Sequence, residues 1–256
     1  MGTCPTRREK AHKGSGRPFV GAHRDTGCRL PEEDGFLCAS VVNEFRCKQA
    51  QVDSGKEASK NQTMQFTIHK TPLPGAVIIE PVCFRDERGF FLESWNSRDF
   101  AARGIAIDFV QDNHSRSVKN VLRGFHYQDM TAPMVKLVRC TLGNVLDVIV
   151  DLRVGSPTFG RWHAVELTAD NMLQLLVPIG FGHAFLTLSD VAEIQYKCSI
   201  YYTPAAEGVI AWNDPDIGVP WPVTDPILSQ RDRKGMRLAE YLERPAFRFG
   251  NVEGAG

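Results

Sequence analysis

A chain of 256 residues with 43% hydrophobic and 23% charged residues can bury a core, as one large or two modest domains. Thirty basic residues balance thirty acidic ones, so no bulk charge argues for nucleic acid or a membrane surface as partner. No apolar run approaches the ~20 residues of a spanning helix, and the opening residues lack the apolar stretch of a secretory signal.

Residues 1–63 and the rest of the chain do not read alike. The first part is interrupted by Gly14, Gly16, Pro18, Gly21, Gly27, Pro31 and Gly35 and sustains neither a helical nor a strand period. Its end, QAQVDSGKEASKNQT (Gln49–Thr63), is polar and reads as a disordered linker, so residues 1–63 are expected to be a low-structure extension without chemistry. From Met64 the texture is β. Strands are expected in Gly75–Phe84, Met134–Leu142, Asn144–Arg153, Arg161–Thr168, Leu173–Phe181, His183–Ser189 and Val191–Tyr202, all short and rich in branched and aromatic residues. The one expected helix is near Ser97–Arg103, capped by Asn96 or Ser97 and stopped by Gly104. Many short strands without βαβ alternation predict an all-β, antiparallel jelly-roll (cupin-like) barrel over residues 64–235, followed by a C-terminal tail, 236–256.

Strand alternation puts polar groups on faces that should be interior. Lys136 shares a face with Val138, Cys140 and Leu142; His126 alternates with Gly124 and Leu122; Tyr196 lies with Cys198 and Ile200. Unpaired buried polar groups cost about 2–7 kcal/mol, so these three need partners or a ligand. Periodicity alone leaves a core histidine and a site histidine both open. A cupin-type metal site is disfavoured, because the place of a HxH pair reads His126-Tyr127-Gln128 and His183 has no obvious carboxylate beside it. His69, His114 and His163 show no ligand spacing and read as surface or structural residues. No P-loop, GxGxxG or GxSxG is present. The seven cysteines stand at irregular spacing without a CxxC pair, which reads as free thiols in a reducing cytoplasm.

Several segments in order resemble the dTDP-4-dehydrorhamnose 3,5-epimerases: FRDERGFFLESW (Phe84–Trp95), FVQDNHSRS (Phe109–Ser117), NVLRGFHYQ (Asn120–Gln128), KLVRC (Lys136–Cys140), PIGFGHAFLTLS (Pro178–Ser189) and LSQRD (Leu228–Asp232). The likeness covers about residues 64–235. It implies a dTDP-4-keto-6-deoxy-sugar substrate whose C4 ketone acidifies the protons at C3 and C5. In the family pattern His126 is the base, Asp232 orients it, Lys136 meets the C4 oxygen and Tyr196 returns a proton on the other face. Arg88 and Arg123 fall on the diphosphate, Phe91 on thymine, and Glu93, Gln111 and Asn113 near nucleotide and sugar. His183 falls in the sugar pocket, with Tyr201 and Arg231 beside it. The resemblance implies no metal or other cofactor, and a homodimer in which the first strands carry Arg88 and Phe91 to the partner's site. The sequence departs from the family text at Met134-Val135, where a polar residue and glycine are common, and at GFGHAF. Inversion of both carbons, inversion of one carbon only, and binding without turnover therefore remain alternatives at this point.

Overall fold

The computed structural model describes residues 66–251. The expected extension, residues 1–63, lies outside the described residues. Among those described, no helix is long and apolar enough to cross a membrane.

The first strands are β1 (Phe66–Lys70), β2 (Val77–Pro81), β3 (Cys83–Asp86) and β4 (Gly89–Leu92), followed by helix α1 (Ser97–Ala101). Then come β5 (Gln111–Val118), β6 (Leu122–Gln128), β7 (Lys136–Leu142), β8 (Asn144–Asp151) and β9 (Arg153–Val154). β10 (Trp162–Thr168), β11 (Gln174–Val177), β12 (Phe181–Thr187), β13 (Val191–Cys198) and β14 (Glu207–Val209) complete the main sheets. Helix α2 (Leu238–Glu243) and β15 (Phe247–Arg248) are the last elements among the described residues. Six strands form one sheet in the order β1-β2-β11-β7-β13-β5, and five form the other in the order β10-β8-β12-β6-β14. All pairings in both are antiparallel. The expected jelly-roll barrel is therefore the fold.

Alternation along the strands builds two cores. Val138 and Cys140 of β7, Ile194 of β13, Val145 and Ile149 of β8 and Phe185 of β12 meet in one cluster, which fills the barrel floor. The opposite faces of the same strands, Leu137 of β7 and Val148 and Val150 of β8, join a second cluster with Phe125, Tyr127, Leu238, Tyr241 and Phe247. Within residues 236–251, Leu238, Tyr241 and Phe247 thus pack on the barrel. The Tyr241 hydroxyl donates to the Leu152 carbonyl at 2.8 Å, and β15 pairs in parallel with β9. Helix α1 forms where expected: the Asn96 side chain accepts from the Asp99 amide, and Gly104 follows the helix at φ +87°.

Local departures from the expected strands have physical causes. The run Gly75–Phe84 divides at Val82 into β2 and β3. β5, which carries no apolar pattern, is a full strand because β13 pairs with it along its whole length. A register shift between Glu193 and Ile194 sets Leu142 opposite Glu193, so Leu142 leaves the Lys136 face and is exposed.

Candidate active site

Register decides which side chains share the barrel interior. Cys198 stands opposite both Lys136 and Gln111, and Tyr196 opposite both Val138 and Asn113, so two rows of three residues line the six-stranded wall. Directly opposed residues point to the same side of a sheet. On the five-stranded wall His126 pairs with His183, and His183 with Ile149, a floor residue.

β6 does not keep simple alternation. Its pairing with β12 jumps from His126↔His183 to Arg123↔Phe185, so two residues of β6 oppose one of β12. This bulge is centred on Gly124, at φ +119°, and the Gly124–Phe125 peptide is cis. The expectation that His126 shares a face with Leu122 is corrected here. The extra residue turns Leu122 to the Leu186 side and lets Arg123 and His126 face inward together. Arg123 Nε donates to Ser117 Oγ at 3.1 Å, across to β5.

His126 Nε2 lies 2.5 Å from Asp232 Oδ1, and Asp232 is almost fully buried. Burial alone would push the Asp232 carboxyl up, but the His126 bond and charge, Ser229 and Arg231 together hold it below the usual carboxylate range. An ionised carboxylate only accepts, so Nε2 carries the hydrogen and Nδ1 is left as the basic nitrogen. The Ser229 hydroxyl donates to Asp232 Oδ2 at 2.7 Å and accepts from the Asp232 amide at 3.1 Å, locking the carboxylate's rotamer. Burial pushes the His126 imidazolium below its ordinary range against the pull of Asp232, so the ring is neutral at neutral pH. Arg231 Nη2 sits 3.3 Å from Nε2, and its guanidinium is bound by Glu207, which also accepts from the Tyr202 hydroxyl at 2.9 Å.

Across the chamber the Lys136 ammonium lies 5.9 Å from the Tyr196 ring centroid. Burial pushes Lys136 below the usual lysine range, opposed by Cys198, Glu207 and Asp147. Burial also pushes the Tyr196 phenol up, which keeps it protonated. Asn113 donates to Cys198 Sγ at 3.5 Å and Gln111 Nε2 to Asn113 Oδ1 at 3.1 Å, so the polar β5 residues belong to this wall. Gln111 also accepts from the Tyr202 amide, and Tyr201 beside it is exposed.

The sequence offered no carboxylate for His183; the structure supplies one. His183 Nε2 bonds both oxygens of Asp147, at 2.9 and 3.0 Å, and both residues are buried. Each histidine holds its own aspartate, and among the described residues no three His, Cys, Asp or Glu side chains form a metal-ligating group. Asp147, Ser229 and Glu207 escaped sequence reasoning. Signals existed for two of them: a carboxylate inside the apolar run NVLDVIVD, and a serine three residues before Asp232.

Three expected residues are not brought to this chamber. Arg88 is exposed on the β3–β4 hairpin and bonds Asp86 of the same hairpin at 2.5 Å. Phe91 is exposed, and Glu93 follows it, half-buried, at the end of that hairpin.

The fold and these groups define a cupin-like jelly-roll barrel with an ionisable interior chamber. Residues 70–240 match the family model for dTDP-4-dehydrorhamnose 3,5-epimerase. The dTDP-4-dehydrorhamnose 3,5-epimerase of Salmonella typhimurium is 53% identical over 175 residues, covering 68% of this chain and 96% of that protein. The Escherichia coli protein of the same name is 50% identical over 179 residues, 69% of this chain and 97% of its own. The crystal structure of dTDP-6-deoxy-D-glucose-3,5-epimerase from Legionella pneumophila, in complex with dTDP-4-keto-L-rhamnose, matches with a TM-score of 0.69. It is 42% identical and covers 72% of this chain and 99% of its own. A 3'-monoepimerase from Streptomyces bikiniensis in complex with dTDP-quinovose matches at 0.67, with 37% identity over 70% of this chain and 92% of its own. The chain belongs to the dTDP-4-dehydrorhamnose 3,5-epimerase family.

Proposed function

We propose that this protein inverts C3 and C5 of dTDP-4-keto-6-deoxy-D-glucose, giving dTDP-4-keto-L-rhamnose for deoxysugar biosynthesis in the cytoplasm. The observation that carries this reading is the His126–Asp232 pair facing Lys136 and Tyr196 across one chamber. The C4 ketone makes the flanking C–H bonds acidic. His126 Nδ1 removes such a proton, and Asp232 stabilises the imidazolium that results. Negative charge moves to the C4 oxygen, where Lys136 meets it; an ammonium deprived of water gains more from an oxyanion than a hydrated one does. Tyr196 then protonates the same carbon from the opposite face, and the configuration is inverted. Every step is a proton transfer, and none calls for a redox or metal cofactor.

The direct test is turnover of that substrate in D₂O. Deuterium is expected at both C3 and C5; label at one carbon only would make the chain a monoepimerase, and no label with folded protein would end the proposal. Tyr196→Phe separates the two faces. Its His126 still exchanges the proton, so deuterium should enter with retained configuration while inversion falls about 10²-fold or more.

Acidity gives a second expected result. The dependence of kcat/KM on pH reports the free enzyme. Activity is lost as His126 gains a proton, and burial sets that below the ordinary 6.5. On the alkaline side it is lost as Lys136 gives up its proton, below the ordinary 10.5, while Tyr196 stays protonated beyond 10. Asp232→Asn removes the partner that raises the His126 value, so its acid limb should move further down in pH.

Arg123, His183, Gln111, Asn113 and Arg231 line or flank the chamber, and we assign them to substrate binding, with Tyr201 at its mouth. Arg88, Phe91 and Glu93 find their use in a homodimer in which each hairpin completes the partner's site. The exposure of Arg88 and Phe91 on the hairpin supports this arrangement. Mixing inactive Arg88→Ala and His126→Ala subunits should then restore on the order of a quarter of wild-type activity, through hybrids with one intact site. Failure of subunit-exchanged mixtures to recover any activity would argue against the shared site.

A further inference from the structure

Met134 is buried, at 9% exposure, yet it belongs to neither hydrophobic core. The backbone leading into β7 remains extended: Val135 N–H donates to Ser199 Oγ at 2.9 Å, and Ser199 N–H to the Val135 carbonyl at 3.0 Å. Alternation is visible in the packing. Val135 and Leu137 lie in the outer core, while Val138 and Cys140 lie on the barrel floor. Met134 therefore shares the interior side with Lys136, one row nearer the mouth. Residues i and i+2 of a strand lie ~7 Å apart. A thioether in that position reaches the substituents next to whatever oxygen Lys136 holds.

On β6 and β14, Gln128 and Glu207 are already engaged. Gln128 Nε2 donates to the Ala132 carbonyl at 3.1 Å, and its Oε1 accepts from the Thr203 amide at 2.8 Å. Glu207, opposite Gln128 in register, is held by Arg231 and Tyr202. A sugar hydroxyl arriving here would lose water and have to share groups that already carry these bonds, whereas a methyl group would find Met134.

We propose that Met134 is a specificity-determining residue that packs against the C6 methyl group of the sugar and selects 6-deoxy over 6-hydroxy substrates. This rests on the assignment of Lys136 to the C4 oxygen, since C6 is attached to the neighbouring carbon. A hydrophobic pocket discriminates weakly against an added hydroxyl, so a preference of about tenfold is expected.

Calorimetric binding of dTDP-quinovose and dTDP-glucose, which differ only at C6, tests it without requiring turnover. Wild type should bind dTDP-quinovose about tenfold tighter. Met134→Gln should bring the two affinities together, Met134→Leu should keep the preference, and all three should bind dTDP alike. Equal binding of both sugars by wild type would overturn the proposal. So would an unchanged preference in folded Met134→Gln, or a fall in dTDP affinity as large as that for the sugar nucleotides. Loss of deuterium exchange in wild type would instead strike the epimerase reading, which these binding ratios do not depend on.

Discussion

His126→Ala is expected to lower kcat by about 10³–10⁴-fold while leaving the affinity for dTDP unchanged. The ring supplies the basic nitrogen, and no other described group stands ready to replace it. His183 lies beside it in register, but its Nε2 is bound to both oxygens of Asp147, deep in the barrel. Asp232 is buried behind the ring, on the far side of Nε2. Removing Asp232 should cost less than removing His126, because the neutral ring persists and loses only its tautomer control and the stabilisation of its cation. The measurement is single-turnover deuterium wash-in beside dTDP binding. A His126→Ala protein that still exchanged C3 and C5 protons at near wild-type rate would show that the base is elsewhere. A variant that lost dTDP affinity in step with kcat would show that the ring acts in binding.

Much of this site was legible in the sequence, and the reason lies in strand geometry. Lys136 and Tyr196 sit among alternating apolar residues, and a period of two assigns them to the interior without further information. Their placement side by side on one wall is then fixed by the pairing of β7 with β13, which sequence does not show. β5 was opaque to hydrophobic patterning because its inward side chains, Gln111, Asn113, Ser115 and Ser117, are all polar. Only the family resemblance marked it. Asp232 is brought to His126 from 106 residues away, a contact that no local rule predicts. Nor could the sequence show that residues 236–248 cover the outer face of the five-stranded sheet, although the aromatic residues Tyr241 and Phe247 carried the apolar mass for it.

The most instructive miss is at β6, and it leads to the second large effect. Strict alternation would send Arg123 and His126 to opposite faces; the bulge at Gly124 sends both inward. Gly124→Ala should therefore damage the fold and the site together. A Cβ on Gly124 would lie 2.3 Å from the His183 carbonyl oxygen and 2.7 Å from Ala184 Cα and Cβ. These are backbone and stub atoms of a fully buried strand, so none can rotate away. The φ of +119° is also a region that side-chain-bearing residues rarely adopt. Strain and overpacking each cost about 1–3 kcal/mol, so a loss on the order of 3 kcal/mol is expected. For a barrel of this size that corresponds to about 6–12 °C in Tm. The protein that remains folded can relieve the clash only by shifting β6 against β12, which moves His126 off Asp232 or turns Arg123 out of the chamber. Thermal unfolding with kcat measured well below Tm distinguishes the two consequences. An unchanged Tm and kcat would mean that β6 tolerates a side chain there, and that the bulge does not set the geometry of the His126–Asp232 pair.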